Sequence, residues 1–261
     1  MTDQNNHTSN PLQIGTKSDT KQSVTTQKSR RICALIPAAG RGQRMGADGN
    51  KLFLKIDGKT ILERTIAVFE THPSITDICL VTAPDEEAFV KNLMLQNNFK
   101  KTHYFAYGGA TRGQSVKNGL QLLATEGQYK PDDLVLIHDG ARCFVTPAVI
   151  DRCIDGALIH GSAVAGIPAK DTIKSVDANE CVTGTPDRST LRLIQTPQAF
   201  HFDIVCRAYA DNLTEFTDDA AVVEANGQPV YIVLGSEDNL KITTPFDLAI
   251  ASALLQGNQS T

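Results

Sequence analysis

Arg41, Arg44 and Lys51 lie along a loop of small residues that opens with Pro37-Ala38-Ala39-Gly40 and carries Gly42 and Gly46. Alanine and glycine leave backbone N–H groups open to close approach by an anion. Guanidinium and ammonium groups add the charge that phosphate oxygens require. The chemistry that suits this stretch is a grip on a nucleoside triphosphate. Two familiar phosphate motifs do not fit it. No glycine followed at the right interval by Gly-Lys-Ser/Thr occurs, and Gly40, Gly42 and Gly46 are too widely spaced for the dinucleotide fingerprint. The ribose-binding acid expected about 20 residues later is also missing, since Asp57 stands in a turn before a helix. On these residues alone, an ordinary glycine-rich turn with solvated arginines stays open as the alternative.

Such a loop needs a strand to aim it. Residues 32–36 form a short apolar run that reads as a buried strand broken by Pro37. Residues 60–71 read as a helix with Leu62, Ile66 and Phe69 on one face. Residues 77–83 are a second buried strand, and residues 86–95 a helix with Phe89, Val90, Leu93 and Met94 together. A strand near 103–107 stops at Gly108-Gly109, and the next helix places Val116, Leu120 and Leu123 inward. Residues 134–137 are a strand running into His138-Asp139, and Pro147 opens a helix with Ile150, Ile154 and Leu158 inward. Strands alternating with helices imply an α/β fold, a three-layer, Rossmann-like arrangement with a mostly parallel sheet.

The alternation breaks after residues 162–168. Two β-prone runs, 172–176 and 180–183, joined by Asp177-Ala178-Asn179, read as a hairpin leaving the sheet within residues 169–190. A lone hairpin is marginal in water, so this arm is expected to pack on something. The chain returns through residues 191–196, a helix after His201, a helix start at Thr217-Asp218-Asp219, a strand over 229–234 and a last helix after Pro245. Ligands of such sheets bind beyond the carboxyl ends of strands. The loop after Ile36, the Gly108-Gly109 corner, His138-Asp139 and Thr196-Pro197-Gln198 each follow an expected strand, so four loops can converge on one crevice.

Composition narrows the class. The chain has 261 residues, 41% of them hydrophobic, enough for one sizeable core. We expect residues 1–30, polar and without an apolar centre, to be a disordered tail, and residues 31–261 to be a single domain. A formal charge of −4 argues against a broad nucleic-acid surface, and no apolar run approaches the ~20 residues of a membrane span. The six cysteines are scattered with no zinc spacing, which suits a reducing cytoplasm. Cys33, Cys79 and Cys153 fall in apolar patterns, as small hydrophobes. His138 reads as structural, and His72, His103, His160 and His201 as turn or surface residues; no paired nucleophile and base is visible.

Several strings together carry a resemblance. They are Pro37-Ala38-Ala39-Gly40 with Gly42, Arg44, Met45 and Lys51; Gly108-Gly109-Ala110-Thr111-Arg112 with Ser115; His138-Asp139-Gly140-Ala141-Arg142; Asp171-Thr172-Ile173-Lys174; Asp187-Arg188; Gln195-Thr196-Pro197-Gln198; and Asn239-Leu240-Lys241. From about residue 31 to the end, the chain resembles the 2-C-methyl-D-erythritol 4-phosphate cytidylyltransferase family of the nucleotidyltransferase fold. The resemblance implies a nucleotidyltransferase that joins CTP to a polyol phosphate and releases pyrophosphate. It implies Arg44, Lys51 and Lys241 as catalytic residues, the first two holding the triphosphate. Pro37, Ala38, Ala39, Gly40, Gly42, Gly109, Ser115, Asp139 and Gly140 are implied around the nucleotide. Arg142, Thr172, Arg188 and Thr196 are implied around the substrate. Mg2+ is expected, bound largely by CTP oxygens with Asp139 as its protein ligand. The arm is expected to clasp a second subunit in a homodimer and complete its site.

The chain departs from the family pattern in three places. Ala110 stands where many relatives carry an acid, Asn50 where proline is common, and Cys143 where proline often follows the arginine. The nearest rival reading is a ribitol-5-phosphate cytidylyltransferase, which Thr185-Pro186-Asp187-Arg188 fits less well. A non-catalytic nucleotide-binding sensor or interaction protein is the rival of another class, and a NAD-dependent dehydrogenase is disfavoured by the glycine spacing.

Overall fold

Continuous apolar runs become central strands when both faces of a sheet are covered, and the chain builds its centre that way. In the computed structural model, which describes residues 30–40, 50–211 and 216–257, strand β1 (Ile32–Pro37), β4 (Asp77–Thr82) and β6 (Leu134–Ile137) are fully or almost fully buried inner strands. They belong to a seven-stranded sheet in the order β11-β7-β10-β6-β1-β4-β5. Its other members are β5 (Thr102–Tyr107), β7 (Ser162–Pro168), β10 (Arg192–His201) and β11 (Tyr231–Leu234). Every pairing is parallel except those of β10, which runs against both β6 and β7. The carboxyl ends of the six parallel strands therefore share one edge. The amino-terminal half of β10 lies at that edge too.

Period-two alternation along β1 sends Ile32, Ala34 and Ile36 into one core and Cys33 and Leu35 into the other. The first core is covered by α1 (Ile61–Thr71), α2 (Glu87–Gln96), α4 (Pro147–His160) and α7 (Pro245–Gly257). The second is covered by α3 (Arg112–Thr125), α5 (Phe202–Asp211) and α6 (Asp219–Ala225). This is the expected three-layer arrangement. Local chemistry sets the helix ends. Thr60 and Glu63 close a capping box at the start of α1, and Gly161, at φ 83°, ends α4 in a left-handed turn. A two-residue pair, β2 (Lys55–Ile56) and β3 (Lys59–Thr60), leads into α1.

Some expectations shift. On α4 the inward positions are Val149, Ile150, Cys153, Ile154 and Ala157, whereas Leu158 is 39% exposed, because the stripe continues three residues past Ile154 and not four. Phe89 is also exposed, against Phe53 with ring centroids 4.4 Å apart, while Val90, Leu93 and Met94 face inward as expected. His72 is no surface residue: it is buried, with Nε2 3.1 Å from Asp151. The strand expected to stop at Thr196 continues through it as β10, so Thr196 to Gln198 lie inside a strand and not in a loop after one. They still reach the active edge because β10 is antiparallel. The arm is a hairpin with strands shorter than its β-prone runs, β8 (Ser175–Val176) and β9 (Val182–Gly184), and both Val176 and Val182 are exposed. No helix among the described residues is long and apolar enough to cross a membrane.

Candidate active site

Beyond the shared strand edge lies a cleft of about 450 Å³. Of the residues singled out above, Pro37, Ala39, Gly40, Lys51, Gly109, Ser115, Asp139, Gly140 and Lys241 line it. Ala39 and Gly108 are crowded together: a Cβ added to Gly108 would lie 2.3 Å from the Ala39 methyl. Only glycine lets these two loops close on each other. Thr111 then caps α3 by accepting the Gln114 N–H, and the Ser115 hydroxyl accepts the Gly109 N–H at 3.1 Å. The corner after β5 is thereby held rigid against the cleft. Lys51 comes from a single 3₁₀ turn, Lys51–Phe53, and its Nζ donates to the Ile242 carbonyl at 2.8 Å.

Asp139 is the electrostatic centre. It sits just past β6, and its carboxylate is held by Lys241 Nζ at 2.7 Å and by Arg112 Nε at 3.1 Å. Burial opposes its ionisation, yet the fields of Arg112 and Lys241 hold it well below the usual carboxylate range. Arg112 reaches onward. Its two terminal nitrogens grip the fully buried Asp219 at 2.9 and 2.7 Å, and Tyr209 Oη donates to the same carboxylate at 2.5 Å. Burial lowers the pKa of Arg112, but Asp219 and Asp139 together outweigh it and raise it. The result is an alternating row, Lys241, Asp139, Arg112, Asp219, whose first three members line the cleft while Asp219 lies buried behind them. Fixed cations beside small-residue loops can neutralise a triphosphate and its leaving group.

The chain matches the family model described as IspD: 2-C-methyl-D-erythritol 4-phosphate cytidylyltransferase over residues 32–257. It belongs to this family. The 2-C-methyl-D-erythritol 4-phosphate cytidylyltransferase of Geotalea uraniireducens is 43% identical over 234 residues, covering 88% of this chain and 99% of that protein. That of Synechococcus elongatus is 44% identical over 230 residues, covering 87% and 97%. The crystal structure of 4-diphosphocytidyl-2C-methyl-D-erythritol synthase from Anaerococcus prevotii aligns with a TM-score of 0.76 at 31% identity, over 87% of this chain and 96% of that one. The sheet and layers are thus those of IspD nucleotidyltransferases.

Other singled-out residues of this IspD chain stand apart from the cleft lining. Ala38 is buried, its N–H on the Val81 carbonyl. Arg142 turns its Nη1 to the Asn239 carbonyl at 2.7 Å. Thr172 and Arg188 sit on the arm, outside the cleft of their own chain, with Arg188 hydrogen-bonded to the Lys170 carbonyl. Gly42 and Arg44 lie outside the described residues. The roles of Arg112 and Asp219 carry no local sequence signal. Asp218-Asp219 looked like a pair of helix-start acids, and Asp218 is indeed the cap, accepting the Ala221 N–H. The adjacent acid turns inward, a difference only the tertiary structure reveals.

Thr196 supports the site from behind. Its hydroxyl accepts the Asp139 N–H at 3.1 Å and meets His138 Nδ1 at 3.1 Å, while His138 Nε2 faces the Arg142 carbonyl at 3.0 Å. A carbonyl can only accept, so Nε2 carries the proton and Nδ1 accepts from Thr196. Burial lowers the His138 pKa from 6.5 to about 4. The unfolded chain therefore binds the extra proton first, and stability falls as pH drops from 6.5 towards 4, by about 1.4 kcal/mol per pH unit at most. We expect His138→Gln to flatten that limb of a stability–pH curve measured by urea unfolding. An unchanged slope would remove His138 as its source.

Proposed function

We propose that this chain transfers the cytidylyl group of CTP to 2-C-methyl-D-erythritol 4-phosphate, giving 4-diphosphocytidyl-2-C-methyl-D-erythritol and pyrophosphate in isoprenoid precursor synthesis. The observation that carries the reading is the meeting of Lys51, Lys241, Arg112 and Asp139 in one strand-edge cleft of an IspD fold. The substrate phosphate is already an anion near neutral pH. Its oxygen attacks the α-phosphorus of CTP, the new P–O bond forms, and the bond to the β-phosphate oxygen breaks. No general base is needed. The protein's task is to align the two phosphates and balance their charge. In this reading Lys51 and Arg44 hold the triphosphate, Lys241 meets the α-phosphate or the incoming phosphate, and Ala39, Gly40, Gly109 and Ser115 surround the nucleoside.

Mg2+ belongs to the proposal. Asp139 fits it as a hard, ionised oxygen donor, and no cluster of three or more His, Cys, Asp or Glu among the described residues offers a cage. A shell completed by nucleotide oxygens suits that arrangement. Bound there, the ion would neutralise phosphoryl oxygens. A homodimer through the arm is also proposed: Val176 and Val182 on the arm, and Leu193, Ile194, Ile232 and Leu234 on the strands beside it, expose apolar surface that a second copy would cover. Six free cysteines suit a cytoplasmic location.

The test is pyrophosphate release with CTP, Mg2+ and a panel of polyol phosphates. We expect 2-C-methyl-D-erythritol 4-phosphate to give the highest kcat/KM. Faster turnover of ribitol 5-phosphate, or CTP binding without pyrophosphate release, would overturn the proposal.

A further inference from the structure

We infer that Asn50 is a positioning residue for Lys51, its side-chain amide supplying by hydrogen bonds the constraint that a fixed backbone angle would supply at the same place. The inference rests on the proposed part of Lys51 in turnover.

Asn50 directly precedes the turn that carries Lys51, and the residue is only 6% exposed. Its amide ties three separate segments. Oδ1 accepts the Leu52 N–H at 3.0 Å, and Nδ2 donates to the Ala38 carbonyl at 2.7 Å and to Glu86 Oε2 at 3.0 Å. These partners belong to the Lys51 turn, the chain just beyond β1, and the lead-in to α2. Phe53 repeats the link by packing on Phe89, and Leu52 is anchored in the core. Lys51 projects from the middle of this tied segment and crosses to the Ile242 carbonyl beside Lys241. A lysine ammonium rides on a flexible four-carbon stem, so its place in the cleft depends on how firmly its backbone is held. Asn50 itself does not line the cleft. Its influence therefore runs through Lys51.

The backbone at Asn50 supplies the means of testing this. Its φ of −77° lies within the range proline imposes, and an N–H at a helix start has no partner within the helix to lose. Asn50→Pro thus removes the amide while restricting the same angle. Asn50→Ala removes the amide and restricts nothing. Asn50→Asp keeps an acceptor for the Leu52 N–H but sets an anion beside Glu86 and the Ala38 carbonyl.

The experiment compares the full-length variants in the pyrophosphate-release assay, with thermal melts to check folding and Lys51→Ala alongside. We expect Asn50→Ala and Asn50→Asp to lower kcat about 10- to 100-fold, the scale of a small misplacement of a catalytic group. Asn50→Pro should recover most of the loss, and KM for the polyol phosphate should hold. Should Asn50→Ala fail to fold, the contrast between Asn50→Asp and Asn50→Pro carries the same information. Wild-type kcat in Asn50→Ala, or a folded Asn50→Pro as slow as Asn50→Ala, would overturn the inference. An active Lys51→Ala would instead sink the reading beneath it, whereas an inactive Lys51→Ala with an active Asn50→Ala sinks the inference alone.

Discussion

Lys51→Ala is expected to lower kcat/KM by about 10²- to 10³-fold, the usual consequence of removing one donor aimed at transition-state charge, and Arg188→Ala to impair turnover as well. The informative measurement is the mixture. Lys51 lines the cleft of its own chain, whereas Arg188 sits on the exposed arm outside that lining. If the arm completes the site of a second copy, each site combines Lys51 of one subunit with Arg188 of the other. A heterodimer of the two variants then holds one doubly defective site and one intact site. Random pairing makes half the dimers mixed, so activity should return to roughly a quarter of wild type. Co-expression under two affinity tags, followed by purification through both, isolates the mixed species. Intact heterodimers with no recovered activity would show that the arm does not share the site.

The parts of this molecule legible from sequence are those set by near neighbours. The apolar run ending at Pro37 is β1, the strand–helix alternation gives three layers, and the glycines at 108 and 109 mark a corner that a side chain could not fill. Family strings located Lys51, Asp139 and Lys241, and the structure brings all three to one cleft. What escaped depends on distance along the chain or on strand direction. Thr196 was expected in a loop because nothing local announces that its strand runs against its neighbours. His72 reads as a turn or surface residue because its partner, Asp151, lies on another helix. Asn50 was noticed only as a departure from a common proline, and its three hydrogen bonds explain how the turn is held without one. Arg112 and Asp219 are 107 residues apart, and no periodicity connects them.

That last pair should matter most after Lys51. Asp219→Asn is expected to cut kcat/KM by about 10- to 100-fold and lower Tm by about 10 °C, although Asp219 does not line the cleft. Losing its charge leaves the Arg112 guanidinium with a single carboxylate, Asp139. Arg112 would then be drawn further onto Asp139 and compete with Lys241 for the oxygens that order the cleft. Breaking a buried pair by removing one partner typically costs about 3–5 kcal/mol, which accounts for the expected loss in Tm. Tyr209→Phe, which removes only the Oη–H on Asp219, should cost about 1.5–3 kcal/mol, the usual contribution of a hydrogen bond to a charged group. A double-mutant cycle separates the functional effect from simple unfolding. If Asp219 acts through Arg112, then Asp219→Asn in an Arg112→Gln background should add little to the loss in kcat/KM. Effects that multiply independently would mean that Asp219 supports the fold alone, leaving Arg112 to hold Asp139 without help.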